Sequence, residues 1–351
     1  MSNFLELVVD SIEYESNDIL LIKLHEKNNR DMSFKAGQFV TVAFDADGEE
    51  VRRGYSIWTI PEELPQIGLA IKKFKDGVST QYLLEGLKEG DIIKSLPPLG
   101  VFTIDPKPED KRTIFMFGAG SGITPLFSQL QSTLIHENQS KIVLFYGSHD
   151  EESIIFKNRL DKLVEQYPAR LEVVHCLSQP AEDWKGEKGR ITKEKAAILL
   201  EERNDLVDDN SEYFLCGPED MMKSITELLK ERDVKRSKIH REIYHTQILD
   251  EFDEIEEIER NVTLIFRGTR YIIKVHPGES ILEKALDMGI DLPNSCQFGN
   301  CGTCKAKLLS GKLKLIEQSV LSQDDIKHGF CLTCVGFPAS DDVVIEYEEE
   351  F

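Results

Sequence analysis

Four cysteines near the C-terminus constrain this 351-residue chain more than any other feature. Cys296, Cys301 and Cys304 stand at the spacing C-x4-C-x2-C, and Cys334 follows thirty residues later. That spacing is the one that holds a [2Fe–2S] cluster. Two irons bridged by sulfides take four thiolates, two on each iron. A long irregular loop must wrap them and turn backbone N–H groups toward the sulfurs. Gly299 and Gly302 permit the close approach and any positive φ it demands. Hydrogen bonds to sulfur and solvent exposure then tune the potential, about −400 mV for clusters of this kind. A structural zinc site is the alternative. Such sites usually combine two short C-x2-C hairpins, and here one pair has that spacing. The chain holds seven cysteines, an odd number that speaks against a disulfide framework and for metal or redox chemistry. Cys331 lies three residues before Cys334 and competes for the fourth position.

The length implies two or three domains, because single cores rarely outgrow roughly 250–300 residues. A formal charge of −21 argues against nucleic acid and anionic membranes as partners, since both select basic patches. It suits docking to basic partners and equally serves solubility. No apolar run approaches the ~18 residues of a membrane helix. The first residues lack the basic head and small-residue cleavage site of a secretory signal. A cytoplasmic protein without nucleic-acid or membrane partners is therefore expected.

Over residues 1–106, short β-type runs recur at 4–9, 19–24, 38–44, 55–60, 68–73 and 91–94, separated by turn signals such as Asp47-Gly48 and Asp76-Gly77. This predicts a small antiparallel β-barrel. Over 107–245, strands at 113–117, 141–146, 170–177, 213–216 and 239–244 alternate with helices at 125–137, 154–166, 193–203 and 218–231. The alternation predicts a doubly wound α/β domain with a parallel sheet. Residues 246–260 carry seven acids against Arg260, and fit either an acidic linker or an amphipathic acidic helix. Over 261–351 a hairpin around Gly268-Thr269 and a helix at 280–288, opened by the Ser280/Glu283 capping box, lead into the cysteine loop. The chain is thus multidomain.

Two further groups of residues carry chemistry. In the barrel half, Arg53-Gly54-Tyr55-Ser56 is followed about twenty residues later by Gly77-Val78-Ser79-Thr80. Arginine offers a fixed charge to a phosphate, tyrosine a ring to stack on an isoalloxazine, and serine a hydroxyl for the flavin N5 region. A glycine-led turn opening a helix directs N–H groups at a pyrophosphate. Taken alone, R-x-Y-S describes ordinary strand residues equally well. In the α/β half, Gly118-Ala119-Gly120-Ser121-Gly122-Ile123-Thr124-Pro125 directly follows a strand and opens a helix. Glycines allow the tight turn and the close approach of a phosphate to the helix N-terminus, although the third glycine comes too early for G-x-G-x-x-G. Cys216-Gly217-Pro218 follows the fourth strand and alone fits a buried cysteine before a tight turn.

In this order the motifs resemble the ferredoxin–NADP reductase superfamily, and residues 262–351 resemble plant-type ferredoxin domains, an α+β (β-grasp) fold. The resemblance implies that Arg53, Tyr55 and Ser56 contact the flavin, with Ile71, Lys72, Gly77, Val78, Ser79 and Thr80 completing its site. It implies that Gly118, Gly120, Ser121, Gly122 and Thr124 bind the pyridine nucleotide, with Cys216, Gly217 and Pro218 at the nicotinamide. Glu242, in His240-Arg241-Glu242-Ile243-Tyr244, would manage a proton near the flavin together with Ser56. Ser56, Cys216 and Glu242 are thereby the candidate catalytic residues. In the ferredoxin pattern the fourth ligand is the cysteine of Leu332-Thr333-Cys334, so Cys296, Cys301, Cys304 and Cys334 are the expected ligands. The implied cofactors are FAD rather than FMN, a [2Fe–2S] cluster, and NADPH or NADH. The resemblance favours NADPH. Yet Ser148-His149-Asp150-Glu151-Glu152 lacks the Arg or Lys that a 2′-phosphate selects, though Ser148 and His149 can bond one. The whole order resembles the reductases of multicomponent oxygenases, those of phenylacetyl-CoA epoxidase systems in particular. The phthalate dioxygenase reductase type shares it but carries FMN. The implied function is hydride transfer from NAD(P)H to flavin and passage of single electrons through the cluster to an oxygenase. The alternative acceptor is a non-oxygenase protein of the hybrid-cluster or desaturase type.

Overall fold

The computed structural model describes residues 4–16, 18–46, 49–73, 86–242, 258–297, 299–315 and 320–347. They fall into two compact units, Met1–Ile243 and Tyr244–Phe351. The first opens with six strands: β1 (Leu5–Ser16), β2 (Ile19–Glu26), β3 (Phe39–Ala46), β4 (Glu49–Ser56), β5 (Gln66–Lys72) and β6 (Ile92–Ser95). They pair antiparallel in the order β4-β3-β6-β1-β2-β5. The two edges approach each other: Ile57 bridges Leu69, and the Trp58 N–H donates to Gly68 O at 2.9 Å. The sheet is therefore barrel-like, as the short-strand pattern predicts. Leu5, Leu7 and Val9 of β1 alternate with less buried residues, the period of two that a strand imposes. With Ile22, Val40, Val42 and Leu69 they fill the interior. The run expected as a strand over 55–60 leaves the ladder after Ser56, because Trp58 turns out to meet the following domain.

That domain contains β7 (Thr113–Ala119), α1 (Ile123–His136), β8 (Lys141–Ser148), α2 (Lys157–Gln166), β9 (Leu171–Leu177), β10 (Glu187–Lys188), α3 (Lys193–Glu201), β11 (Glu212–Cys216), α4 (Glu219–Glu231) and β12 (Ile239–Glu242). Its sheet is parallel, in the order β10-β9-β8-β7-β11-β12. Helices cover both faces, so β7 is buried from Thr113 to Gly118 and carries no polar alternation. The strand order reverses at β7, and open α/β sheets bind ligands at the carboxyl end of such a switch point. Helix α2 starts at Lys157 rather than 154. Phe156 takes a left-handed φ of 62°, and its buried ring stacks on Phe127 with centroids 4.4 Å apart. Packing here overrides a helical pattern.

Helix α1 fastens this domain to the barrel. Ser128 Oγ donates to Thr59 O (2.6 Å), Gln129 Nε2 to Phe102 O (2.7 Å) and Gln131 Nε2 to Trp58 O (3.1 Å). The Trp58 ring lies against Phe127 and Phe156. At Gly37, with φ +99°, a Cβ would stand 2.2 Å from Phe102 O, so the contact admits only glycine.

The second unit holds β13 (Arg260–Phe266), β14 (Thr269–Val275), α5 (Ile281–Asp287), β15 (Lys305–Ser310), β16 (Leu313–Leu315), α6 (Gln323–Lys327), β17 (Phe330–Leu332), β18 (Gly336–Pro338) and β19 (Val343–Glu346). Its mixed sheet runs β14-β13-β19-β15-β17, with β13 parallel to β19, and β16 pairs β18 separately. The hairpin turns through Arg267 and Gly268, both at positive φ. Ser280 and Glu283 form the capping box of α5, whose Ile281, Leu282 and Ala285 enter the core with Leu264 and Ile345. The acidic stretch is outside the described residues up to 257, so the choice between linker and helix falls there. Among the described residues, no helix is long and apolar enough to cross a membrane.

Candidate flavin, nucleotide and cluster sites

The switch point gathers three motifs that are far apart in sequence. Cys216 pairs with Gly118 on one side and with Glu242 on the other. Gly118, Cys216 and Glu242 therefore form one row across β7, β11 and β12. At Gly122 a Cβ would stand 2.1 Å from Cys216 O and 2.8 Å from Gly217 N. No side chain fits there, so the glycine turn and the Cys216-Gly217-Pro218 loop touch backbone to backbone. Gly120 takes φ +55°. Its carbonyl accepts a hydrogen bond from Tyr146 Oη at 3.1 Å, and Tyr146 Oη accepts one from the Ile155 N–H at 3.3 Å. Thr124 Oγ1 donates to Ser121 O at 2.9 Å. Tyr146 thus holds the turn from below, a role that nothing in its local sequence announces.

Glu242 is 5% exposed, and its Oε2 has no hydrogen-bond partner among the described residues. Burial pushes its carboxyl up to about 8. Buried polar atoms are nearly always paired, so an orphaned carboxyl oxygen at the carboxyl end of this sheet marks a place where a bound group completes the site. On the barrel, Ser56 is buried at the end of β4, Tyr55 is half-buried, and Arg53 is exposed with Nη1 donating to Arg52 O at 2.8 Å. Ile71 is buried on β5. The half-buried Lys72 brings its Nζ within 3.9 Å of where a Gly120 Cβ would lie, so barrel and glycine turn meet there. Gly77, Val78, Ser79 and Thr80 lie outside the described residues.

In the second unit the four expected cysteines come together two by two. Cys304 and Cys334 sulfurs are 3.2 Å apart, and Cys296 hydrogen-bonds Cys301. Among the described residues, no three or more Cys, His, Asp or Glu side chains converge on a single-ion site. The hydrogen bond from Cys296, aided by Thr303, pulls the Cys301 thiol down to about 5. Backbone hydrogen bonds also reach Cys304 from Cys334 and Cys334 from Gly299. Gly299 and Gly302 take positive φ, 85° and 76°. Two thiol pairs with N–H groups aimed at sulfur fit a two-iron cluster. Cys331 behaves differently. It is packed in the core, its thiol donates to Ala306 O at 3.4 Å, and burial pushes it up to about 12. The sulfur beside Cys304 is thus that of Cys334, not that of Cys331. Thr333 Oγ1, to which the cysteine spacing gives no role, bonds Tyr347 Oη at 2.6 Å and Cys304 O at 3.2 Å.

Residues 6–104 match the oxidoreductase FAD-binding domain, 116–227 the oxidoreductase NAD-binding domain, and 265–339 the 2Fe-2S iron-sulfur cluster binding domain. The chain is 33% identical to a component of the 1,2-phenylacetyl-CoA epoxidase of Escherichia coli K12, over 99% of both chains. It is 30% identical to the ferredoxin reductase component of 3-ketosteroid-9-alpha-monooxygenase from Rhodococcus rhodochrous, over 97% of this chain and 96% of the relative. Phthalate dioxygenase reductase shares the fold, with a TM-score of 0.63 and 23% identity over 98% of each chain. With FAD-binding, NAD-binding and 2Fe-2S domains in that order, and likeness to such relatives along its whole length, the chain belongs to the family of flavin- and [2Fe–2S]-dependent electron-transfer oxidoreductases that includes the reductase components of multicomponent oxygenases.

Proposed function

We propose that this chain takes hydride from NAD(P)H at an FAD held by the barrel and delivers the electrons one at a time, through a [2Fe–2S] cluster, to an oxygenase partner in the cytoplasm. The observation that carries the reading is the division of Cys296, Cys301, Cys304 and Cys334 into two close pairs, in a chain that also has a nucleotide crevice. When bound, the flavin converts a two-electron hydride into single electrons and the cluster carries them. The protein supplies position and charge. Gly118, Gly120, Ser121, Gly122 and Thr124 shape a turn that leads into α1, where N–H groups attract a pyrophosphate. Cys216, Gly217 and Pro218 floor the nicotinamide position. Arg53, Tyr55, Ser56, Ile71, Lys72, Gly77, Val78, Ser79 and Thr80 hold the flavin. Glu242 keeps a proton at its carboxyl up to about pH 8, available to a neighbouring ring nitrogen. Both named relatives serve oxygenases, which supports an oxygenase as acceptor. The purified protein is expected to be yellow-brown and to reduce cytochrome c with NADH or NADPH at about 1–10³ s⁻¹, the ordinary enzyme range. A colourless protein with stoichiometric zinc and no such activity would overturn the proposal.

A further inference from the structure

If the glycine turn holds the pyrophosphate and Cys216, Gly217 and Pro218 floor the nicotinamide after β11, the adenosine half must run the other way, over the ends of β8 and β9. A cleft of about 600 Å³ lies there, between the loops that follow these two strands, lined by Glu151, Glu152, Asp183, Trp184 and Lys185 among others. Hydrogen bonds tie the two loops together. The Ser178 N–H donates to Ser148 O (3.0 Å), the Gln179 N–H to His149 O (2.7 Å), and the Ala181 N–H to Glu151 Oε1 (3.1 Å). Trp184 is fixed as a wall. Its Nε1 donates to Glu187 O at 3.2 Å, and a Cβ on Gly186 would stand 2.6 Å from its ring. An indole held this way offers a purine a stacking face. The charge around it is one-sided: three carboxylates line the cleft against Lys185, and the nearby His149 is already paired with Asp150 at 3.0 Å.

A ribose 2′-hydroxyl donates to carboxylates, whereas a dianionic 2′-phosphate is repelled by them and needs an arginine or a lysine. We infer that this reductase selects NADH over NADPH, with Glu152 and Asp183 as the residues that exclude the 2′-phosphate. The inference rests on the nucleotide-binding reading above, and it runs against the NADPH preference implied by family resemblance.

The test is dye reduction by the purified holoprotein with each nucleotide, together with calorimetric binding of NAD+ and NADP+. The expected result is kcat/KM higher with NADH by roughly tenfold or more, a matching difference in Kd, and a ratio that narrows as added salt screens the repulsion. In Glu152→Arg/Asp183→Lys the ratio moves toward NADPH by roughly tenfold or more. A wild-type preference for NADPH, or a ratio unchanged in the double variant, overturns the inference and leaves the reductase reading standing. Failure of both nucleotides to reduce the flavin overturns that reading instead.

Discussion

Replacing Cys334 by serine removes the visible absorbance of the cluster and leaves reduction of the flavin by the nicotinamide nucleotide intact. Cys334 is buried, its sulfur lies 3.2 Å from that of Cys304, and Gly299 hydrogen-bonds it through the backbone. A serine hydroxyl stays protonated where a thiolate is needed, so one iron loses half of its protein ligands. Cytochrome c reduction then falls by more than about 10–100-fold, the range seen when only an outer partner of a metal ligand is lost. The nucleotide crevice belongs to the other compact unit, so flavin bleaching by nucleotide persists. Cys331→Ser is the control. Its thiol meets Ala306 O inside the core, and a hydroxyl there costs about 1–3 kcal/mol of stability while the cluster remains. Loss of the cluster in Cys331→Ser with retention in Cys334→Ser would contradict the assignment.

The second large effect is expected at Glu242. Folding takes its carboxyl from the ordinary 4.5 up to about 8, through burial. Between those values the folded chain binds a proton that the unfolded chain has released. The associated stability is full below about pH 4.5 and is lost as pH rises through about 8. Glu242→Gln has no such proton to lose, so its thermal midpoint falls less than the parent's across this window. If Glu242 also manages a proton beside the flavin, the rate constant for flavin reduction drops by about 10²-fold, at the lower end of general acid–base contributions. Its inflection near pH 8 disappears. An unchanged pH profile in Glu242→Gln would place the group outside the chemistry.

Features that depend on neighbours in the chain were legible in the sequence. The cysteine spacing, the glycine turn before a helix and the Ser280/Glu283 box each span a few residues, and each is built by local backbone geometry. The alternation of strands and helices likewise led to the parallel sheet. What escaped was decided by contacts between distant segments. Trp58 leaves the barrel ladder because Phe127 and Phe156 offer it an aromatic surface. For the same reason α2 begins three residues later than its pattern suggests. Tyr146 supports Gly120 from a strand 26 residues away. The alignment of Glu242 with Cys216 and Gly118 exists only through parallel pairing of β7, β11 and β12. In the cleft after β8 and β9, the acids after β8 were visible in the sequence. Asp183 and Trp184 acquire meaning only when β9 places their loop opposite.

The most direct test of the electron route is an anaerobic titration of the purified protein with NADH or NADPH, followed by optical and electron paramagnetic resonance spectra. FAD, iron and acid-labile sulfide are counted on the same sample. The electron route requires one FAD, two irons and two sulfides per chain, and the signal of a reduced [2Fe–2S] cluster as nucleotide is added. A flavin that bleaches while the cluster stays oxidised, or iron absent and zinc in its place, would contradict it.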